Sequence, residues 1–306
     1  MTTTLAQRLQ IRPLAGGSLS CGKFPLIRFT WLFGGLLGVV LAAHGMAAAQ
    51  TTLPANPKAP KLTPKNTRAA VSAALVLEEK DRQAIEALLA AVHTQPSGVA
   101  RMKLISSQLL GQPYLTHPLI GSPAEPEQFV TRMDGFDCVT YVETVLALSG
   151  AADVDDFLQR LRHLRYAKGE VSYATRLHYS TDWKNANVQR GVLRDVTRGE
   201  LTVAQAKTLG GAVGLPSRVE SIRFFPKSSF AALTALLQDG DVILFVSGRN
   251  WLDTNHMGLV FREGDRLLMR HASRSHAHVT EQLLADFVRT NKMIGFIVAR
   301  PSESRR

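Results

Sequence analysis

Cysteine is scarce in this chain, with only Cys21 and Cys138 among 306 residues. Long apolar runs are scarce too. The N-terminal one, Phe29 to Ala43, spans fifteen residues, short of the roughly 20 that cross a bilayer as a helix. Residues 1–28 contain no acid but hold Arg8, Arg12, Lys23 and Arg28. A basic region, a short apolar core and the small residues Ala47-Ala48-Ala49 make a secretory signal cleaved near Ala49, the alternative being an uncleaved anchor. Cys21 precedes the apolar run and lacks the Leu expected three residues before it, which argues against a lipoprotein anchor. No repeats are present. Low complexity is confined to residues 50–66, a polar linker with Pro54, Pro57, Pro60 and Pro64 that is expected to be disordered. No basic stripe interleaved with aromatics is present, which argues against nucleic acid as a partner.

What remains is a globular composition, 45% hydrophobic and 20% charged. Cleavage of residues 1–49 takes four cations from a formal net charge of +11. The positive balance left over suits an anionic partner such as cell-wall polymer or lipid headgroups, with ordinary surface charge as the plain alternative. Export to the periplasm is expected, without stable membrane insertion after cleavage, and the oligomeric state is not legible. Cleavage also leaves Cys138 unpaired. Exported proteins normally spend cysteines in disulfide pairs, so a single thiol there reads as a reactive group.

The stretch around Cys138 supports that reading. Asp134-Gly135 reads as a turn in which Gly supplies positive φ. Asp137 stands at an N-cap position, and Val139, Val142, Val145 and Leu146 recur at helical spacing. Cys138 falls at the first helical position. There, free N–H groups and the helix dipole lower a thiol pKa and can hold an oxyanion. A buried structural cysteine is the competing reading. Glu143 lies about 140° around the helix from Cys138, so it reads as a brace and not as the general base.

Helices are expected within residues 67–93, from Ser97 to about Leu110, and over Asp153–Tyr166. Gly111 to Pro126 reads as loop and Gln128 to Met133 as a short strand. Ala167 to Gly240 has weak periodicity, and reads as a long functional loop or a plain surface connection around a packed Trp183. Beyond it, Asp241–Val246, His256–Phe261, Leu267–His271 and Ile294–Ala299 are β-rich runs, with a short helix over Ala285–Lys292. Helices followed by an antiparallel meander make an α+β fold.

Gly264-Asp265 is the natural centre of a hairpin turn. In that register Gly258 faces His271, His256 faces Ser273, and the two histidines share a face one diagonal step apart, about 7–8 Å in backbone terms. A slip of one residue would separate them. A cysteine nucleophile needs a base and a group that orients the base, and Cys138, His256 and His271 supply these in chain order. The rival chemistry is a metal site, for which His271, His276, His278 and Cys138 offer N and S ligands.

Phe136-Asp137-Cys138-Val139-Thr140-Tyr141-Val142-Glu143, Leu177-His178-Tyr179-Ser180-Thr181-Asp182-Trp183, His256-Met257-Gly258-Leu259-Val260 and His271-Ala272-Ser273 together resemble the N-acetylmuramoyl-L-alanine amidase-like family, a branch of the papain-like NlpC-type peptidoglycan hydrolases. The similarity runs over about residues 100–300. It implies a papain-like α+β fold with the nucleophile helix packed on an antiparallel sheet. It implies Cys138 as nucleophile, His256 as general base and acid, and His271 as its orienter. It further implies that Tyr179, Asp182, Trp183 and Asp137 face substrate, that an amide of a muropeptide is cut, and that no metal or other cofactor takes part. Cleavage of the γ-D-glutamyl bond, acyl transfer, and wall binding without turnover stand as alternatives.

Overall fold

The computed structural model describes residues 74–302, so the signal and linker assigned to residues 1–66 lie outside the described residues. The first helix, α1 (Glu79–Val92), buries Ile85, Leu88 and Val92 along one face. Helix α2 (Gly98–Gln108) starts where Ser97 accepts the Ala100 N–H at 3.1 Å, the expected cap. A two-residue parallel pair, β1 (Leu75–Val76) with β2 (Phe129–Val130), ties the N-terminal segment to the approach of the cysteine helix. Helix α3 (Cys138–Gly150) is buried on nearly every side from Thr140 to Ser149, which is why its sequence is apolar almost throughout. Helix α4 (Val154–Arg165) buries Phe157, Leu161 and Leu164, and carries acids in its first turn and bases in its last, as the helix dipole favours.

The segment 167–240 is not one long loop. It holds α5 (Ser180–Gln189), β3 (Leu193–Asp195), β4 (Val203–Leu209), β5 (Arg218–Pro226) and α6 (Phe230–Thr234). The hairpin of β4 and β5 is exposed over most of both faces. Burial is confined to one end of each strand, Lys207 and Leu209 in β4 and Ile222, Phe224 and Phe225 in β5, too short a stretch to display an apolar alternation.

The C-terminal third comprises β6 (Val242–Val246), β7 (Thr254–Glu263), β8 (Arg266–Ser273), β9 (His278–Leu283), α7 (Leu284–Thr290) and β10 (Gly295–Pro301). The antiparallel sheet runs in the order β4-β5-β10-β6-β7-β8-β9, with β3 also pairing β10. Its central strand β6 is buried on both faces. Val242, Leu244 and Val246 pack in the core that includes Tyr141, Val142 and Val145 of α3, while Ile243 and Phe245 meet Leu284, Phe287 and Val288 of α7. Helices on both faces of a mostly antiparallel sheet make the fold α+β. No described helix is long and apolar enough to cross a membrane.

Candidate active site

Asp137 caps α3 as its sequence position requires. One carboxylate oxygen accepts the N–H groups of Val139 at 3.1 Å and Thr140 at 2.8 Å, and the Thr140 hydroxyl accepts the Asp137 N–H in return, closing a capping box. The cap therefore occupies two helix-end donors, the Val139 and Thr140 N–H groups. Gly135 does not supply a positive φ. It is small because the chain passes close by: a Cβ there would lie 2.7 Å from Leu115 Cγ and 2.9 Å from the Pro113 carbonyl. Helix α1 holds the same approach from the other side, where buried Asp81 accepts the Met133 N–H at 2.7 Å and Lys80 pairs with Asp134 at 3.1 Å.

The β7–β8 hairpin adopts the register its turn dictates, with Leu259 opposite Arg270 and Glu263 opposite Arg266. His256 and His271 consequently share a face. His256 Nε2 lies 2.7 Å from His271 Nδ1, and His271 Nε2 lies 2.8 Å from the side-chain amide of Gln282 on β9. Phe287 of α7 closes over the pair, its ring 5.3 Å from each imidazole. The start of α3 packs against β7, the strand that carries His256, and the backbone N–H of Met257, the residue after His256, favours the thiolate of Cys138 against the burial that opposes it. The His256 nitrogen not engaged by His271 is Nδ1.

Burial controls the charges. It pushes the Cys138 thiol up to about 12, helped by the Asp137 carboxylate, and outweighs the backbone N–H groups of Met257, Cys138 and Val139 that pull the other way. Desolvation drops His256 to about 4, and His271 to about 3 with help from His256 and His276. The ligand-free site thus holds a neutral thiol and neutral imidazoles. This corrects the expectation of a resting thiolate at the helix end. Residue Cys138 as a whole is nonetheless of intermediate exposure.

A family profile described as AmiA-like, N-acetylmuramoyl-L-alanine amidase-like, matches residues 104–296, a span that holds α3 and the whole β7–β8–β9 array. The chain belongs to the AmiA-like family. Among solved structures, a Legionella pneumophila protein is 25% identical, with a TM-score of 0.66 over 74% of this chain and 96% of that one. An N-acetylmuramoyl-L-alanine amidase of Bacteroides uniformis is 27% identical, with a TM-score of 0.60 over 68% of this chain and 99% of that one. A Bacteroides fragilis chain named as a candidate xylanase, 24% identical with a TM-score of 0.53, shares the fold alone. No curated protein matches the chain.

Four residues expected to face substrate have other duties in this AmiA-like chain. Trp183 is fully buried, its indole N–H directed toward Glu143 but outside strict hydrogen-bond geometry. Tyr179 is 3% exposed and spends its hydroxyl accepting the Gly210 N–H at 2.8 Å. Neither can face substrate in this arrangement. Asp182 pairs with Arg218 at 2.5 Å, and Asp137 is the helix cap described above. The polar segment around Tyr179 is tied into the framework of this chain: buried Asp253 reaches in from the loop before β7 to accept Thr181 N–H and hydroxyl at 2.7 and 2.9 Å, capping α5. Glu143 braces, as expected, through a buried ion pair with Arg165 at 2.8 Å.

Among the described residues no group of three or more His, Cys, Asp or Glu side chains is gathered to hold a metal ion. His276 is turned instead to the Ser273 hydroxyl, 2.8 Å from its Nδ1. Sequence reasoning missed Gln282, Phe287 and Tyr114. Tyr114 bridges by its backbone to Phe136, two residues before Cys138, and burial raises its phenol pKa. It sits in a proline-rich loop with no periodicity, and the short mixed strand β9 hid Gln282 in the same way.

Proposed function

We propose that this chain is an exported cysteine amidase that hydrolyses the amide joining N-acetylmuramic acid to L-alanine in peptidoglycan or muropeptides, on a papain-like NlpC-type fold. One observation carries the reading: the helix that begins at Cys138 packs on β7, the strand that carries His256, and His256 is hydrogen-bonded to His271 at 2.7 Å. Membership of the AmiA-like family supports an amide of cell-wall peptide as substrate. The N-terminal basic and apolar segments support export.

In this reading the thiol proton passes from Cys138 Sγ to His256 Nδ1 as the sulfur attacks the lactyl carbonyl carbon. A desolvated thiol near 12 is a poor nucleophile alone, so the proton transfer accompanies the attack. The Cys138 N–H at the helix end faces the oxyanion. His256 gives its proton to the departing L-alanine nitrogen, leaving a thioester. It then takes a proton from water, whose oxygen attacks the thioester and frees the lactyl carboxylate and the thiol.

The test is product identification by mass spectrometry after incubation with muropeptides. Intact stem peptide beginning at L-alanine is the expected product, and a stem split after γ-D-glutamate would move the assignment to an endopeptidase. Cys138→Ala is expected to abolish turnover with an unchanged fold. Retained activity in that variant, or binding without any product from the wild type, would remove the cysteine amidase reading.

A further inference from the structure

We propose that Gln282 is a positioning residue whose side-chain carbonyl accepts the Nε2–H of His271, fixing the tautomer that lets His256 act as base. This rests on the reading of His256 as the base. The argument is proton counting along one chain of contacts. His256 Nε2 faces His271 Nδ1 at 2.7 Å, and His271 Nε2 faces the Gln282 amide at 2.8 Å. To receive the thiol proton, His256 must keep Nδ1 bare and carry its own proton on Nε2. His271 Nδ1 must then accept, so His271 carries its proton on Nε2 and needs an acceptor beyond it.

With the amide nitrogen of Gln282 toward His271 Nε2, the opposite sequence is forced. A donated amide proton would place the His271 proton on Nδ1 and the His256 proton on its own Nδ1, where the thiol proton has to go. Once His256 became imidazolium, two N–H groups would confront each other. The two ends of an amide are assigned by the bonds they make, and only the carbonyl end satisfies the chain before and after proton transfer. The site is tight enough to hold one choice: His271 is 1% exposed and Phe287 covers both rings. Gln282 is held on β9 opposite Met269 of β8, in a ladder that also sets His271 against Thr280.

Nitrogen-15 spectra of the full chain labelled at histidine read the tautomer directly, without substrate. The expected result is a proton on His271 Nε2 in the wild type and in Gln282→Glu, which can only accept. Gln282→Lys, which can only donate, is expected to move it to Nδ1. Turnover should follow: kcat within a few-fold of wild type for Glu, and lower by about a hundredfold or more for Lys at unchanged KM, the scale of a misplaced base. A proton on Nδ1 of His271 in the wild type, or equal kcat for the Glu and Lys variants, would overturn the proposal. A wild type with the Nε2 tautomer but no muropeptide cleavage would support the positioning geometry and overturn the amidase reading instead.

Discussion

The two histidines carry a stability consequence separate from any catalysis. In the folded protein His256 titrates near 4 and His271 near 3, pushed there by burial, against 6.5 for an ordinary histidine. Between those values and 6.5 the unfolded chain binds protons that the folded chain refuses. Unfolding is therefore favoured as pH falls through that window, and stability recovers as pH rises to about 6.5. At 1.36 kcal/mol per pKa unit, the coupled pair accounts for on the order of a few kcal/mol. Urea titrations at pH 7 and pH 4 should show a larger loss for the wild type than for the double variant His256→Asn/His271→Asn, which has no imidazole there to charge. Parallel losses would mean the pair is solvated. The placement of these rings was legible in the sequence because a Gly-Asp turn fixes register, and register fixes which side chains share a face. Their protonation was not legible, since it depends on Phe287 and on α7 folding over them. The neutral thiol of Cys138 is a second case: the helix end was readable from Asp137 onward, whereas the desolvation that outweighs it comes from strand β7.

At the level of elements, α1 lies outside the residues matched by the family profile yet is wired to the approach of Cys138. Asp81 is 3% exposed, and its bond to the Met133 N–H holds the chain five residues before Cys138. Asp81→Ala leaves a buried N–H without a partner, a loss of about 1–3 kcal/mol. Equilibrium urea unfolding should show a lower midpoint at unchanged slope, and Asp81→Asn, which keeps an acceptor oxygen, should recover part of it. If Asp81→Ala unfolds at the wild-type midpoint, α1 is an appendage and not a buttress. The helices with a buried stripe, α2 and α4, could be read in the sequence almost to their ends, because Ser97 and Asp153 cap them and their apolar spacing is regular. Residues 167–240 could not. Trp183 and Tyr179 stand in a polar segment whose burial is created by partners remote in sequence, Asp253, Gly210 and Arg218. A polar motif buried by distant contacts looks the same in sequence as one exposed to ligand.

Taken whole, the fold has α3 at its centre, packed against α1, α2 and α4 and against strands β7 and β8. What keeps α3 in position is partly ionic. Glu143 and Arg165 are 2% and 4% exposed at their side chains and 2.8 Å apart. The same guanidinium donates to the Val130 carbonyl at 2.7 Å, so α3, α4 and β2 are joined through one side chain. Desolvation favours protonated Glu143, and the neighbouring Arg165 opposes it. Such a pair contributes little over well-packed apolar replacements, but removing one member strands the other charge in the core, at about 3–5 kcal/mol. Glu143→Ala is therefore expected to lose stability on that scale in urea unfolding. The double variant Glu143→Met/Arg165→Met should lose less than Glu143→Ala alone, although it removes more atoms. Since Cys138 rides on the same helix five residues earlier, the double variant should also keep more amide cleavage than the single one. If the double variant were the less stable of the two, the pair would be contributing through its own attraction, and the placement of α3 would depend on the charge itself and not on avoiding its isolation.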